Sequence, residues 1–249
     1  MIGRFVLTLT LLCSVSVIGE RKTAISNETI PATADNVAPE NFTRLFNGKD
    51  LTNWQGVMLK PFDKPHKRSR LNAEKKAQLK KNSNAIMRAH WSVGKDNALF
   101  FDGKRGGFSL ATIKKYKDFE FHISWKIEKA GDSGIYLRGL PQVQIWDPEN
   151  KQAHRHGADK GSGGLWNNPK EGKWPLVKAD KPVGEWNHFF IRMIGNKVSV
   201  WLNGKQTVKT APLYNFWEND KPIPEVEQIE LQCHGHPIWV KNIYIKELP

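Results

Sequence analysis

The chain has 249 residues, 39% of them hydrophobic and 25% charged, with 12 Phe and 10 Trp. Such a composition excludes a disordered or low-complexity protein and supplies a sizeable core. The net charge is +13, yet ten Lys/Arg against two acids fall between Lys60 and Arg88. The charge therefore belongs to one segment, and no nucleic-acid partner is expected.

In chain order, residues 1–19 carry one early cation, Arg4, an apolar run from Phe5 to Ile18, and a small residue, Gly19. This is the pattern of a signal peptide. The run is shorter than the ~20 apolar residues that span a bilayer. No transmembrane span is expected after its removal, and export to the periplasm or beyond is. Only Cys233 would then remain, so no internal disulfide supports the fold. Residues 20–40 are polar and punctuated by proline, and read as a linker.

A folded domain is expected over 41–249. It opens with a short strand from Phe42 to Phe46 and an Asn47-Gly48 turn. Residues 60–90 read as a basic helical insertion on the surface, with Asn72 as its cap. From Trp91 onward short alternating strands follow one another. In "FEFHISWKI", Phe119, Phe121, Ile123, Trp125 and Ile127 share one face. "KVSVWLNGKQTV" reads as a hairpin turning at Asn203-Gly204. The series predicts an all-β fold, a sandwich of two antiparallel sheets with one inserted surface helix. The stretch from Asn150 to Asn187 is Gly-, Lys- and Pro-rich and holds Trp166, Trp174 and Trp186. Three tryptophans favour an ordered loop beside a site.

Two strands have an unusual second register. In "PQVQIWD", Val143 and Ile145 alternate with Gln142, Gln144 and Trp146; in "VEQIELQCHG", Ile229, Leu231 and Cys233 alternate with Glu230, Gln232 and His234. If these strands are neighbours, the amides, Glu230, His234 and Arg138 line one exposed face. Amides and guanidinium groups pair with hydroxyls, and indoles offer flat apolar area. The expected partner is a carbohydrate.

The phrases "LFNGKDLTNWQG", "YKDFEFHISWKI", "GDSGIYLRG", "PQVQIWD", "GSGGLWNNP", "KPVGEWNHFFIRMIGNKVSVWLNGK" and "IELQCHGHPIWVKNIYIKEL", in this order, resemble the 3-keto-disaccharide hydrolase domain family. The likeness runs from about Phe42 to Leu248. It implies a concanavalin A-like jelly roll in an exported, planctomycete-type bacterial protein. The family pattern marks Ser133, Arg138, Gln144, Asp147, Gly164, Trp186, Asn187, Gln232, His234 and Asn242. This chain departs from it at Gln142, where many members have an acid, at Cys233, and at Lys241, where Arg is common.

The resemblance implies a sugar oxidised at C3, which acidifies C2–H and lets the C1 oxygen leave by elimination. Such a site needs a base, a donor to the leaving oxygen and a cation at the enolate. The catalytic candidates are His234 as base or acid, Glu230 or Asp147 as its partner, and Arg138 or Lys241 at the enolate. Ser133, Gln142, Gln144, Trp146, Trp166, Trp186, Gln232 and Lys241 are the expected substrate contacts. No cofactor is expected; His154, His156, Asp159 and Asp147 are the one set that would suit a divalent metal ion. Two other readings stand beside the enzyme: a carbohydrate-binding module using the same face, and an envelope scaffold whose basic insertion docks to an acidic partner.

Overall fold

A computed structural model describes residues 35–94, 96–106 and 108–249. The expected signal peptide and most of the expected linker lie outside the described residues.

Thirteen strands and two α-helices are found in the described residues: β1 (Thr43–Arg44), β2 (Trp54–Gly56), α1 (Pro65–Ser69), α2 (Ala73–His90), β3 (Trp91–Val93), β4 (Leu99–Asp102), β5 (Leu110–Thr112), β6 (Phe119–Ile127), β7 (Asp132–Leu137), β8 (Leu140–Trp146), β9 (Asn187–Ile194), β10 (Lys197–Leu202), β11 (Lys205–Pro212), β12 (Glu230–Leu231) and β13 (Pro237–Glu247). They form two antiparallel sheets. The large one runs β11-β10-β9-β6-β13-β4-β3, with β1 also on β13; the small one runs β2-β5-β12-β7-β8. The protein is an all-β sandwich.

Period-2 alternation decides what goes between the sheets. Phe119, Phe121, Ile123, Trp125 and Ile127 of β6 are all buried, and they meet Ile135, Leu137, Val143, Ile145 and Leu231 from the small sheet in one core. Burying each large side chain is worth roughly 1.5–3 kcal/mol. The β10–β11 hairpin turns at Asn203 and Gly204, both at positive φ, as the Asn-Gly pair requires.

The basic segment forms more than one surface helix. Asn72 caps α2, accepting from the Lys75 amide at 2.8 Å. The helix buries Ser83 and Met87, and keeps its lysines in solvent. It lies so close to β2 that a Cβ at Gly56 would fall 2.2 Å from the Ser83 carbonyl oxygen, so glycine is required there. The short helix α1 instead packs against the end of the small sheet, with Pro65 against Gly139. Asn36 is buried and exchanges hydrogen bonds with Asn242, at 2.7 and 3.0 Å, so residues 35–40 fold onto the large sheet.

Candidate active site

The outward register of the small sheet is set by its pairing. Trp146 lies opposite Asp132, Gln144 opposite Gly134, Gln142 opposite Tyr136, and Tyr136 opposite Glu230. Gln232 follows two residues after Glu230, its amide bonded to the Gly134 carbonyl. His234 continues the line. The strands therefore bring Gln142, Gln144, Trp146, Glu230, Gln232 and His234 onto one face, with Asp132 and Tyr136.

These side chains bond to one another. Gln144 Nε2 donates to Asp132 Oδ1 at 2.9 Å, and Gln142 Nε2 donates to Gln144 Oε1. His234 Nδ1 lies 3.2 Å from Asp132 Oδ2. Gln232 Nε2 donates to the Tyr136 hydroxyl at 3.2 Å. On the other side Gln228 Nε2 donates to Glu230 Oε1 at 2.8 Å, and Gln55 Nε2 donates to Gln228 Oε1. Gln142 Oε1, Gln232 Oε1 and His236 Nδ1 are buried with no hydrogen-bond partner among the described residues. A buried acceptor without a partner is costly, on the order of 1–3 kcal/mol, and three in one patch mark places where a ligand's hydroxyls would be held.

Two depressions lie end to end along this face, sharing Gly106 and Cys233. The first, about 360 Å³, is bordered by Arg105, Asp132, Trp146, His234 and His236. The second, about 550 Å³, is bordered by Met58, Lys64, Tyr136, Glu230 and Gln232. Both fall in the range of roughly 300–1,000 Å³ typical of small-molecule sites. Gly235, at φ 81°, lets the Arg105 stem cross its backbone; a Cβ there would lie 2.6 Å from Arg105 Cγ.

Electrostatics separate the carboxyls. Burial pushes the Asp132 carboxyl above its ordinary range, opposed by His234 and by the Gln144 hydrogen bond. Burial first, then the charge of Glu230, pushes the Tyr136 phenol far up and keeps it protonated. Glu230 is held by Arg68 of α1, at 3.1 Å. Lys64 reaches over this end of the face, its Nζ 3.8 Å above the Trp217 ring and 5.7 Å from the Tyr136 ring.

Several sequence expectations fall elsewhere. Arg138 is 2% exposed and turns away from this face. A register shift after Tyr136 and a positive φ of 50° break the alternation. Its guanidinium is spent on Asp118 at 3.1 Å and on the Gly195 and Pro224 carbonyls, so it cannot reach an enolate in the groove. Asp147 is likewise 2% exposed; its carboxylate accepts from the Ala130 and Glu149 amides and closes a turn. The partner of His234 is Asp132, not Asp147 or Glu230. Ser133 sits in the inward register and donates to the Gln232 carbonyl at 2.7 Å. Lys241 and Trp186 belong to the outer face of the large sheet: Lys241 Nζ lies 4.4 Å over the Trp186 ring and 2.6 Å from Asp35. Asn242 and Asn187 are bonded within that sheet and its loops.

Trp146 stays on the site face, its indole donating to the Gly161 carbonyl. Trp166 borders neither depression; its indole donates to the His156 carbonyl and its ring lies 5.4 Å from Lys173 Nζ. Gly164 bonds to the Gln144 amide and cannot carry a Cβ, which would fall 2.4 Å from the Lys173 carbonyl oxygen. The loop histidines do not gather as ligands: His154 Nε2 contacts the Pro148 carbonyl and His156 Nε2 accepts from Arg155. Among the described residues no three His, Cys, Asp or Glu side chains converge on a metal site. Cys233 keeps to the inward side, its thiol pushed up by burial.

Sequence reasoning missed Asp132, Tyr136, Arg105, His236 and Arg68. The first two had a signal: they alternate with Ser133, Ile135 and Leu137 and so must face outward with Gln142 and Gln144. Arg68 had none, because a cation within a basic run reads as solvated.

Comparison with known proteins bears on the same region. The profile of the 3-keto-α-glucoside-1,2-lyase-like domain matches residues 41–246. A 3-keto-disaccharide hydrolase of Bacteroides thetaiotaomicron is 22% identical over a 210-position alignment, covering 64% of this chain and 70% of that protein. Two crystal structures from Parabacteroides distasonis, provisionally described as glycosyl hydrolases, share the fold. One has a TM-score of 0.57 at 24% identity, covering 86% of this chain and 100% of its own. The other has 0.51 at 22%, covering 78% and 99%.

Proposed function

The chain belongs to the 3-keto-α-glucoside-1,2-lyase-like domain family, and from that premise we propose that it cleaves 3-keto-glycosides in the groove over the small sheet. The observation that carries this reading is the meeting of Asp132, His234 and Arg105 at one end of a row of amides with open acceptors.

The chemistry asks little of the protein beyond proton transfer and charge stabilisation. A ketone at C3 acidifies C2–H. Removal of that proton places negative charge on the C3 oxygen. Collapse of this enolate forms the C1–C2 double bond and breaks the C1–O bond, and the leaving oxygen takes up a proton. Water then adds at C1 as a proton returns to C2, so the sum is hydrolysis. We assign the C2 proton to His234. Its Nδ1 is engaged by Asp132, which leaves Nε2 for the substrate. Asp132 orients the ring and offsets the charge it acquires. Such a general base contributes about 10²–10⁴-fold in rate. Arg105 borders the same depression and supplies the cation at the enolate. Tyr136, held protonated in the second depression, is the donor to the leaving oxygen. Gln232 lines the second depression and presents its open acceptor to a sugar hydroxyl, and Trp146 offers a flat wall in the first.

A glycosidase of the two-carboxylate kind fits less well. It requires a free acid and a free nucleophile or base across the sugar, whereas Glu230 is tied to Arg68 and Gln228. The test is release of reducing sugar from a 3-keto-disaccharide. The native protein should catalyse it and His234→Ala should lose about 10²–10⁴-fold. Turnover unaffected by His234→Ala removes this mechanism. Tight binding of the 3-keto sugar without any turnover by the native protein favours a binding module on the same face.

A further inference from the structure

The far end of the large sheet carries a third depression, on the opposite side of the sandwich from the groove. Strands β10 and β11 pair there with two register shifts, between Val198 and Val200 and between Val200 and Trp201, and Thr210 has a positive φ of 48°. These irregularities splay the two strands and open a depression of about 490 Å³. Val198, Val200, Leu202 and Val208 fill the core side. The outward side presents Trp201, Arg192, Lys197, Lys209, Ser199 and Thr210.

Three features stand together. Trp201 packs at a tilt of 37° against Phe190, ring centroids 5.2 Å apart, which braces a flat indole in the wall of the depression. Three cations line the same depression, Arg192, Lys197 and Lys209, and no acid is among the lining residues. Glu120 lies 3.6 Å from Arg192 and is shared with Lys246, while neither Lys197 nor Lys209 has a carboxylate partner among the described residues. The Ser199 and Thr210 hydroxyls, 3.2 Å apart, add hydrogen-bonding capacity between the cations.

We propose that this depression binds an anionic polysaccharide, independently of the catalytic groove. The indole takes the apolar face of a sugar ring, and the cations take carboxylate or sulfate groups carried by that ring and its neighbours. Charge complementarity selects the occupant: a neutral glycan leaves Lys197 and Lys209 unmatched, and a bare polyanion makes no use of the braced indole. The exposed lysines of α2 lie on a separate element and have no aromatic platform.

The experiment is affinity electrophoresis in gels containing polygalacturonate, dextran sulfate, unsubstituted dextran or polyglutamate. The full chain should be retarded at least tenfold more by a charged polysaccharide than by dextran, and more than by polyglutamate. Which of the two charged polysaccharides retards it identifies carboxylate or sulfate as the recognised group. Lys197→Glu with Lys209→Glu, and Trp201→Ala, should each weaken retardation at least tenfold. Lys76→Glu with Lys80→Glu on α2 should leave it within twofold, and all three variants should keep native turnover of a 3-keto-disaccharide. Binding to neither charged polysaccharide overturns the proposal. So does a loss that follows the α2 variant, or retardation by polyglutamate that equals the best polysaccharide and survives Trp201→Ala.

Discussion

On the small sheet the outward side chains bond to each other; on the large sheet they stack. Asp132, Gln144, Gln142, Tyr136 and Gln232 form a hydrogen-bonded patch roofed by loops and by α1. The large sheet instead shows Phe100, Trp239, Lys126 and Trp186 in van der Waals and cation–π contact, with His122, His188, Phe190 and Trp201 in the next rows. Both faces alternate with buried core residues in the same way. The difference lies in what each polar group has left to offer: the small-sheet face retains buried acceptors without partners, which a bound ligand would satisfy, while the large-sheet face packs rings against cations and leaves only donors and charges open, around Trp201. Open acceptors beside a carboxyl raised by burial are therefore what separates the small-sheet face, suited to proton transfer, from the large-sheet face.

The largest expected effect breaks the small face. Asp132→Asn keeps the size of the side chain and should lower turnover of a 3-keto-disaccharide at least 100-fold, read by steady-state kinetics. It should also alter the pH dependence of stability. The Asp132 carboxyl is raised in the fold, so its stabilisation is present below 3.8 and is lost as pH rises through its raised value. Melting curves across that window should show the native protein losing stability relative to the Asn variant. Next comes Arg138→Ala, which leaves the Asp118 carboxylate and two carbonyls without their donor. The loss of a buried ion pair's partner costs about 3–5 kcal/mol, measured by urea unfolding, with turnover per folded molecule unchanged. A smaller effect probes the large face. Burial and His122 hold His188 down to about 3. Its folded value is depressed, so stability present above 6.5 is lost as pH falls toward 3, by at most ~1.4 kcal/mol per pH unit. His188→Phe should flatten that decline. The smallest effect belongs to Lys241→Ala: its partner Asp35 is half-exposed, so the change should cost less than about 1 kcal/mol and leave turnover within twofold.

Alternation made much of the sandwich legible. The strand cores, the Asn203-Gly204 hairpin, the Asn72 cap and the amide register of β8 and β12 all follow from local chemistry. What alternation does not encode is the sheet to which a strand belongs. Lys241 and Trp186, expected among the substrate contacts, lie together over the outer face of the other sheet. Arg138 was misread because a register shift and a left-handed residue reset the count at the end of β7. Asp147 was misread because a carboxylate just past a strand serves equally well to close a turn. Arg68 was invisible: only tertiary packing of α1 against β12 takes it out of solvent.

The central claim is that the 3-keto sugar binds over the small sheet, and indole NMR tests it most directly. The probe is 1,5-anhydro-3-keto-glucitol, which lacks the glycosidic oxygen at C1 and so has no aglycone to release. Titration should shift the indole N–H signals of Trp146 and Trp217, while those of Trp186, Trp201 and Trp239 stay in place. Shifts confined to Trp186, Trp201 or Trp239 would contradict the account.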